Sequence, residues 1–275
     1  MWIDTHCHLD AHEFGGVEQS LAVARAAFDN GVSMIVIPSV DRHNFDLAAQ
    51  LSSTAPNASY ALGIHPICVP AAREEDLSLL RARVESAMTD PRFVAIGEIG
   101  LDFFIPALTE PAMREKQDHF FREQLRIARD FELPVLMHVR RSQDQVLKHV
   151  RQVRPAGGIA HAFNGSFQQA QIYIDLGFKL GFGGAMTFTR ALQIRRLATQ
   201  LPLEAIVLET DAPDISPSWI HPARNSPEQL PAIGAALAEL RGVTIDAIAF
   251  QTGRNASSAL PRLAGLIPAS LPGAV

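Results

Sequence analysis

Trp2-Ile3-Asp4-Thr5-His6-Cys7-His8-Leu9-Asp10 begins as a strand and ends in two histidines. Residues two apart on extended backbone project the same way, so His6 and His8 share a face and Cys7 points away as a small core residue. Two imidazoles at a strand end are half of a metal site. A lone His-x-His pair also arises by chance. The residues at the end of this strand decide the fold. A doubly wound open sheet usually places a glycine-rich dinucleotide turn after its first strand. This strand runs into His-x-His instead. Gly181-Phe182-Gly183-Gly184 is no substitute, because it comes after a late strand and lacks the required spacing.

Short apolar, β-branched runs recur along the rest of the chain. Candidate strands are Trp2–His6, Ser33–Pro38, Tyr60–Ile64, Phe93–Glu98, Pro134–His138, Gly158–His161, Phe178–Phe182 and Ala205–Glu209. Each has the length and bounding of a strand buried on both faces. Helical patterns separate them: Val17–Asn30, Asn44–Leu51, Glu74–Met88, Pro111–Phe131, Ser142–Arg151, Ser166–Leu176, Arg190–Leu201 and Pro227–Leu240. In Pro111–Phe131 a proline stands in the first turn, and Phe120, Phe121, Leu125, Ala128 and Phe131 form an apolar stripe. Asn30-Gly31 and Leu176-Gly177 read as helix stops. Eight strand–helix units without a linker-like break predict an α/β fold, a (β/α)8 TIM barrel. One domain would then span residues 1–275, with Asp246–Leu260 as a closing C-terminal helix. The nearly uncharged, proline-containing tail from Pro261 is expected to be loosely packed.

Composition narrows the function. Of 275 residues, 47% are hydrophobic and 19% charged, which suits a large buried core and argues against disorder. A net charge of −5 excludes a broad basic surface for nucleic acid, so a polyanion would have to meet a local cluster of cations. Two bound divalent ions would leave the chain negative, which favours a short single-stranded end held locally. The two cysteines, Cys7 and Cys68, exclude a disulfide framework and fit a reducing compartment. Asp4 comes too early for a signal peptide, and no apolar run is long enough to span a bilayer. A cytoplasmic protein without membrane attachment or an obligate protein partner is expected.

Catalytic residues of such barrels sit at the carboxyl ends of the strands. Those ends carry His6 and His8, then Glu98, His138, His161 and Asp211. Each alone has a core or surface explanation, but all six fall at strand ends. Four imidazoles and two carboxylates exceed what one tetrahedral ion needs. Two divalent ions sharing a carboxylate would use them all, and Glu98 lies between the histidine groups. Paired ions suit phosphate-ester hydrolysis. Asp211 could bind one ion and accept the proton of the attacking water, making Asp211 and Glu98 the candidate catalytic pair.

The segments Asp4 to Asp10, Gly63-Ile64-His65-Pro66, Gly97-Glu98-Ile99-Gly100-Leu101-Asp102, Pro134 to Arg140, His161 to Gly165, Glu209 to Pro213 and Arg224-Asn225-Ser226-Pro227 resemble those of the TatD family. That family comprises metal-dependent deoxyribonucleases with amidohydrolase-like barrels, and the likeness is to its YjjV-like branch. The resemblance covers the chain from Asp4 to about Asn255. It implies one metal on His6, His8, Glu98 and Asp211, and another on Glu98, His138 and His161. It further implies Mg2+-, Mn2+- or Zn2+-dependent phosphodiester hydrolysis of DNA from the 3′ end.

Around these ligands, His65 is either a histidine packed by Pro66 or a substrate contact, the role that the resemblance implies. Arg140, two residues past His138, is placed to grip a phosphate, whereas Arg141 should point elsewhere. Arg224 resembles a substrate or structural residue of the family. Asp10 and Asp102 are expected to fix loops or orient ligands rather than bind metal. His12, His43, His119, His149 and His221 read as surface residues, with His221 near enough to Arg224 to leave its role open. The chain departs from many members at Ile67, Phe103-Phe104 and Asn255-Ala256. These changes spare the ligands and alter the rim, so they bear on substrate preference.

Two other readings compete. A hydrolase on the same metals could cleave another bond: a cyclic amide, a phosphotriester, or the ester of a D-aminoacyl-tRNA. Many amide-cleaving relatives bridge their metals with a carboxylated lysine. Here Lys116, Lys148 and Lys179 are the only lysines, and none is at a ligand-bearing strand end. A non-catalytic scaffold would show lost ligands, and none is lost.

Overall fold

A computed structural model describes residues 1–267. Eight parallel strands form one sheet in sequential order: β1 (Trp2–Asp4), β2 (Val32–Pro38), β3 (Ala58–Leu62), β4 (Phe93–Asp102), β5 (Val135–Arg140), β6 (Gly158–Ala160), β7 (Phe178–Phe182) and β8 (Ile206–Leu208). The segments just beyond β1 and β8 close the ring. Thr5 N–H donates to Leu208 O, Asp211 N–H to His6 O and His8 N–H to Ala212 O, and Cys7 pairs with Ala212 in parallel. The barrel is thus sealed by the residues that carry the first histidines and Asp211.

The helices are α1 (Val17–Asp29), α2 (Phe45–Thr54), α3 (Glu74–Ala87), α4 (Pro111–Asp130), α5 (Gln143–Val153), α6 (Phe167–Asp175), α7 (Leu192–Gln200), α8 (Leu230–Arg241) and α9 (Ile245–Ala259). Each expected helix is present, with ends moved by up to a few residues. The eighth is preceded by a separate 3-10 turn at Pro227–Gln229. Strand residues alternate between two apolar layers. Ile35, Ile37, Phe93, Val135 and Met137 pack against the helices. Ile3, Met34, Val36, Val94, Leu136, Ile159 and Val207 form a separate cluster with Ala256, Leu260 and Leu263. Helix α9 therefore closes the barrel at the strand starts, opposite the mouth. Asn255 fastens it by donating to Leu203 O and Ile206 O, both at 2.7 Å.

The tail departs from expectation where it is described. Pro261–Gly265 forms a 3-10 turn, Leu263 is fully buried, and Arg262 donates to Met88 O and Asp90 O near the start of β4. Residues 268–275 lie outside the described residues. Among those described, no helix is long and apolar enough to cross a membrane.

Strand β4 runs four residues past its expected end, and this extension positions Glu98. Ile96 pairs with Val135 and Ile99 with Met137, so Gly97 and Glu98 together oppose the single residue Leu136. A bulge of this kind re-aims side chains. A Cβ on Gly97 would stand 2.6 Å from the Leu136 Cβ, so only glycine lets the strands approach here.

A candidate metal centre at the barrel mouth

All six expected ligands converge at the mouth, around Glu98. Its Oε2 lies 3.1 Å from His6 Nε2 and 3.3 Å from His8 Nε2. Its Oε1 lies 3.0 Å from His138 Nδ1, 3.0 Å from His161 Nε2 and 3.3 Å from His65 Nε2. The two oxygens of one carboxylate thus face different imidazoles, with His161 stacked on His6 at 3.9 Å between ring centroids. Asp211 Oδ1 joins the first group, 3.7 Å from both His6 Nε2 and His8 Nε2.

The donor set fits metal. A tetrahedral ion with ligands at about 2.0–2.1 Å spaces its ligand atoms about 3.3–3.4 Å apart. The spacings of 3.1 to 3.7 Å in the His6 group bracket that value. His6 Nε2 and His8 Nε2 also face each other at 3.3 Å. With both nitrogens deprotonated, a cation between them would satisfy both lone pairs.

Burial shapes the charges. His6 is driven down to about 3 by burial, with His161 adding to the effect against the attraction of Glu98. Burial likewise takes His65 down to about 4. At His8 burial is outweighed by the hydrogen bond and charge of Glu98 and by Asp211 and Asp10, which raise it to about 9. Glu98 is held well below the carboxylate range, the surrounding imidazoles overcoming its burial. Burial pushes Asp211 up to about 6, against the pull of His161 and His8.

The neighbouring groups fix orientation. Asp102 Oδ2 lies 3.0 Å from His138 Nε2, and its Oδ1 accepts from Phe104 N–H and Ile105 N–H. Asp4 accepts from Thr210 N–H and Oγ1–H, tying β1 to the Asp211 loop. Asp10 is bonded to Asn44. These carboxylates hold loops and rings, as expected of Asp10 and Asp102. Cys7 is buried in the apolar layer against the helices.

Other expectations meet different outcomes. His65 lies inside the cluster, with Nδ1 accepting from Ile67 N–H and Nε2 facing Glu98. Arg140 lines the cavity over the cluster, and so does Arg141, contrary to its expected direction. Arg141 has φ +56°, a left-handed turn that breaks strand alternation and returns the side chain to the mouth. Arg224 does not line that cavity. It donates to Glu13 O, lies 4.6 Å from the Phe14 ring centroid and borders a smaller adjoining cavity that His221 also lines. His149 is not a surface residue: it is 4% exposed, with Nε2 3.0 Å from Asp118 Oδ1.

Three buried polar residues escape the sequence pattern. Glu209 accepts from Ala162 N–H and lies 3.7 Å from His161 Nδ1, holding the His161 loop. Gly181 packs so closely on the Glu209 carboxylate that a side chain there would overlap it. On α4, Gln117 accepts from Asp102 N–H, and Gln124 bonds both the N–H and the carbonyl of Ile64. The signal for these two glutamines is their spacing along the apolar stripe of α4.

A cluster of candidate metal ligands at the carboxyl ends of barrel strands is the arrangement that a metal-dependent hydrolase requires. The chain belongs to the TatD family: the profile described as "TatD related DNase" matches residues 3–261. It is 37% identical over 249 residues to the uncharacterized metal-dependent hydrolase YjjV of Escherichia coli K12, covering 90% of this chain and 93% of that protein. An uncharacterized metal-dependent hydrolase of Haemophilus influenzae is 35% identical, with coverage of 93% and 97%. The crystal structure of YjjV, described as a TatD homolog from Escherichia coli K12, superposes with a TM-score of 0.88, covering 94% of this chain and 98% of that one.

Proposed function

We propose that this hydrolase cleaves phosphodiester bonds of DNA, trimming single-stranded 3′ ends with two divalent ions, Mg2+, Mn2+ or Zn2+. The observation that carries the reading is the division of Glu98, one oxygen toward His6 and His8 and the other toward His138 and His161. That division suits a carboxylate shared between two ions. His6, His8, Glu98 and Asp211 would hold one, and Glu98, His138 and His161 the other. Bound divalent ions of this kind acidify a water and neutralise charge on phosphoryl oxygens.

The chain's own groups supply the rest. Asp211, with Oδ1 3.7 Å from both His6 Nε2 and His8 Nε2, is placed to take a proton from the attacking water. Arg140 and Arg141 line the same cavity of about 1050 Å³ and meet the need for a local cation cluster in an acidic chain. No lysine lines the cavity over the cluster among the described residues, and Lys116 donates to Pro70 O and Ala72 O.

The test uses one preparation on 3′-labelled and 5′-labelled oligonucleotides and on D-aminoacyl-tRNA. Each is run with chelator and with added Mg2+, Mn2+ or Zn2+, beside Glu98→Ala. Stepwise loss from the 3′ end, abolished by chelator and by Glu98→Ala, is expected. Cleavage of the aminoacyl ester alone would replace DNA as substrate, and cleavage surviving chelator would end the metal account.

A further inference from the structure

The cavity is far larger than a phosphodiester requires, and one wall has a distinct composition. Phe104, in the loop after β4, is 43% exposed at the mouth. The Arg140 guanidinium lies 3.8 Å from its ring centroid and that of Arg141 4.6 Å. Arg42, Arg81, Arg92, Arg224, Arg241 and Arg262 each hydrogen-bond a carboxylate or carbonyl of the protein. Arg140 has only a 3.9 Å approach to Asp102 Oδ2, beyond hydrogen-bond distance, and none is found for Arg141 among the described residues. Both guanidinium groups rest on the ring and remain free to bind an anion. Beside them the buried Oε1 of Gln143 has no hydrogen-bond partner, and exposed Asn164 lines the same cavity.

We infer that Phe104, with Arg140 and Arg141, is a stacking site for the terminal nucleobase of the DNA strand. The inference rests on the nuclease reading and adds the part of the substrate that is recognised away from the reacting phosphate. Guanidinium groups that rest on an aromatic face without a hydrogen bond exchange readily onto phosphate, which binds them through paired hydrogen bonds. The exchange bares an aromatic face beside the newly fixed phosphate. A base stacks there whatever its identity, because every base has a π-face. Exposed Asn164 then offers a polar partner within the same cavity. The left-handed backbone of Arg141 is what brings the second guanidinium to the ring.

The metal-loaded protein is titrated into an oligonucleotide bearing 2-aminopurine at its 3′ end, its last linkage a phosphorothioate that blocks cleavage. Wild-type protein is expected to quench the fluorophore by stacking. Phe104→Leu should weaken binding about 5- to 100-fold, and Phe104→Trp should restore both affinity and quenching. A probe with an abasic 3′ terminus should bind wild type and Phe104→Leu equally. Circular dichroism and metal content confirm that each variant is folded and loaded. Unquenched emission, or equal binding by wild type and Phe104→Leu, overturns the stacking site. If oligonucleotides are cleaved all the same, the nuclease reading stands without it. If quenching is seen but no oligonucleotide is cleaved, the nuclease reading falls and the base site remains.

Discussion

His138 Nε2 lies 3.0 Å from Asp102 Oδ2, while the opposite ring nitrogen, Nδ1, lies 3.0 Å from Glu98 Oε1. The two carboxylates grip one imidazole from both edges. Asp102 is held down to about 2, the hydrogen bond from His138 and the Phe104 and Ile105 amides outweighing its burial. A ring ligand backed by a carboxylate is fixed in tautomer and orientation, and losing the partner typically costs about 10- to 100-fold in metal affinity or activity. Asp102→Asn keeps an oxygen for the two amides but removes the charge behind His138. We expect metal affinity, measured by competition with a chromophoric chelator, to fall by that factor while circular dichroism is unchanged. Unaltered affinity would show that Asp102 serves the loop alone.

Metal content tests the shared carboxylate directly. The loaded wild-type chain should carry two ions, counted by elemental analysis after desalting. His161→Ala should lose one, because the His6, His8 and Asp211 group is left intact. Glu98→Ala should retain less than His161→Ala, since it removes a ligand from both groups. Its rate should fall by about 10²- to 10⁴-fold, as expected for losing several kcal/mol of transition-state charge stabilisation. Equal metal content in the two variants would mean that Glu98 is not shared.

Much of the site is legible in the strand ends, because chemistry at a barrel mouth concentrates His, Glu and Asp where apolar runs stop. His6, His8, Glu98, His138, His161 and Asp211 stand out for that reason. Arg141 does not, since alternation presumes extended backbone and its φ is +56°. The end of β4 is hidden because pairing resumes beyond the bulge at Gly97 and Glu98, which apolar patterning does not encode. His149 reads as a surface residue by chemical type alone. Its helical spacing from Val146 and Val153 matches the buried face of α5. Glu209 stands in a recognised segment, yet its work depends on Ala162 and His161, residues nearly fifty positions away.

Away from the metal centre, Asp76 offers a titration with a definite sign. It sits in the first turn of α3, accepting from Arg73 N–H and from Arg42 Nη1–H, both at 2.9 Å. Burial raises its pKa, but these bonds dominate and hold it below 3.8. The folded chain therefore binds this proton less readily than the unfolded chain. The stabilisation is present above the unfolded value and is lost as pH falls through the lower folded value. Asp76→Asn should cost about 0.3–1 kcal/mol at pH 7, read from urea midpoints. The gap from wild type should close at a pH below Asp76's folded value. A gap that persists there would assign the effect to packing.

Gln124 of α4 is buried and spans the backbone of Ile64, accepting from its N–H at 2.7 Å and donating to its carbonyl at 3.1 Å. Ile64 directly precedes His65, whose Nε2 is 3.3 Å from Glu98. Gln124→Ala leaves two buried backbone groups unpaired, at about 1–3 kcal/mol each. The urea midpoint should drop with little change in slope. Gln124→Leu separates hydrogen bonding from packing. It fills most of the volume yet pairs neither group, so it should be about as destabilising as alanine. A leucine variant as stable as wild type would mean that Gln124 matters for its bulk, and the loop carrying His65 would then be held by packing alone.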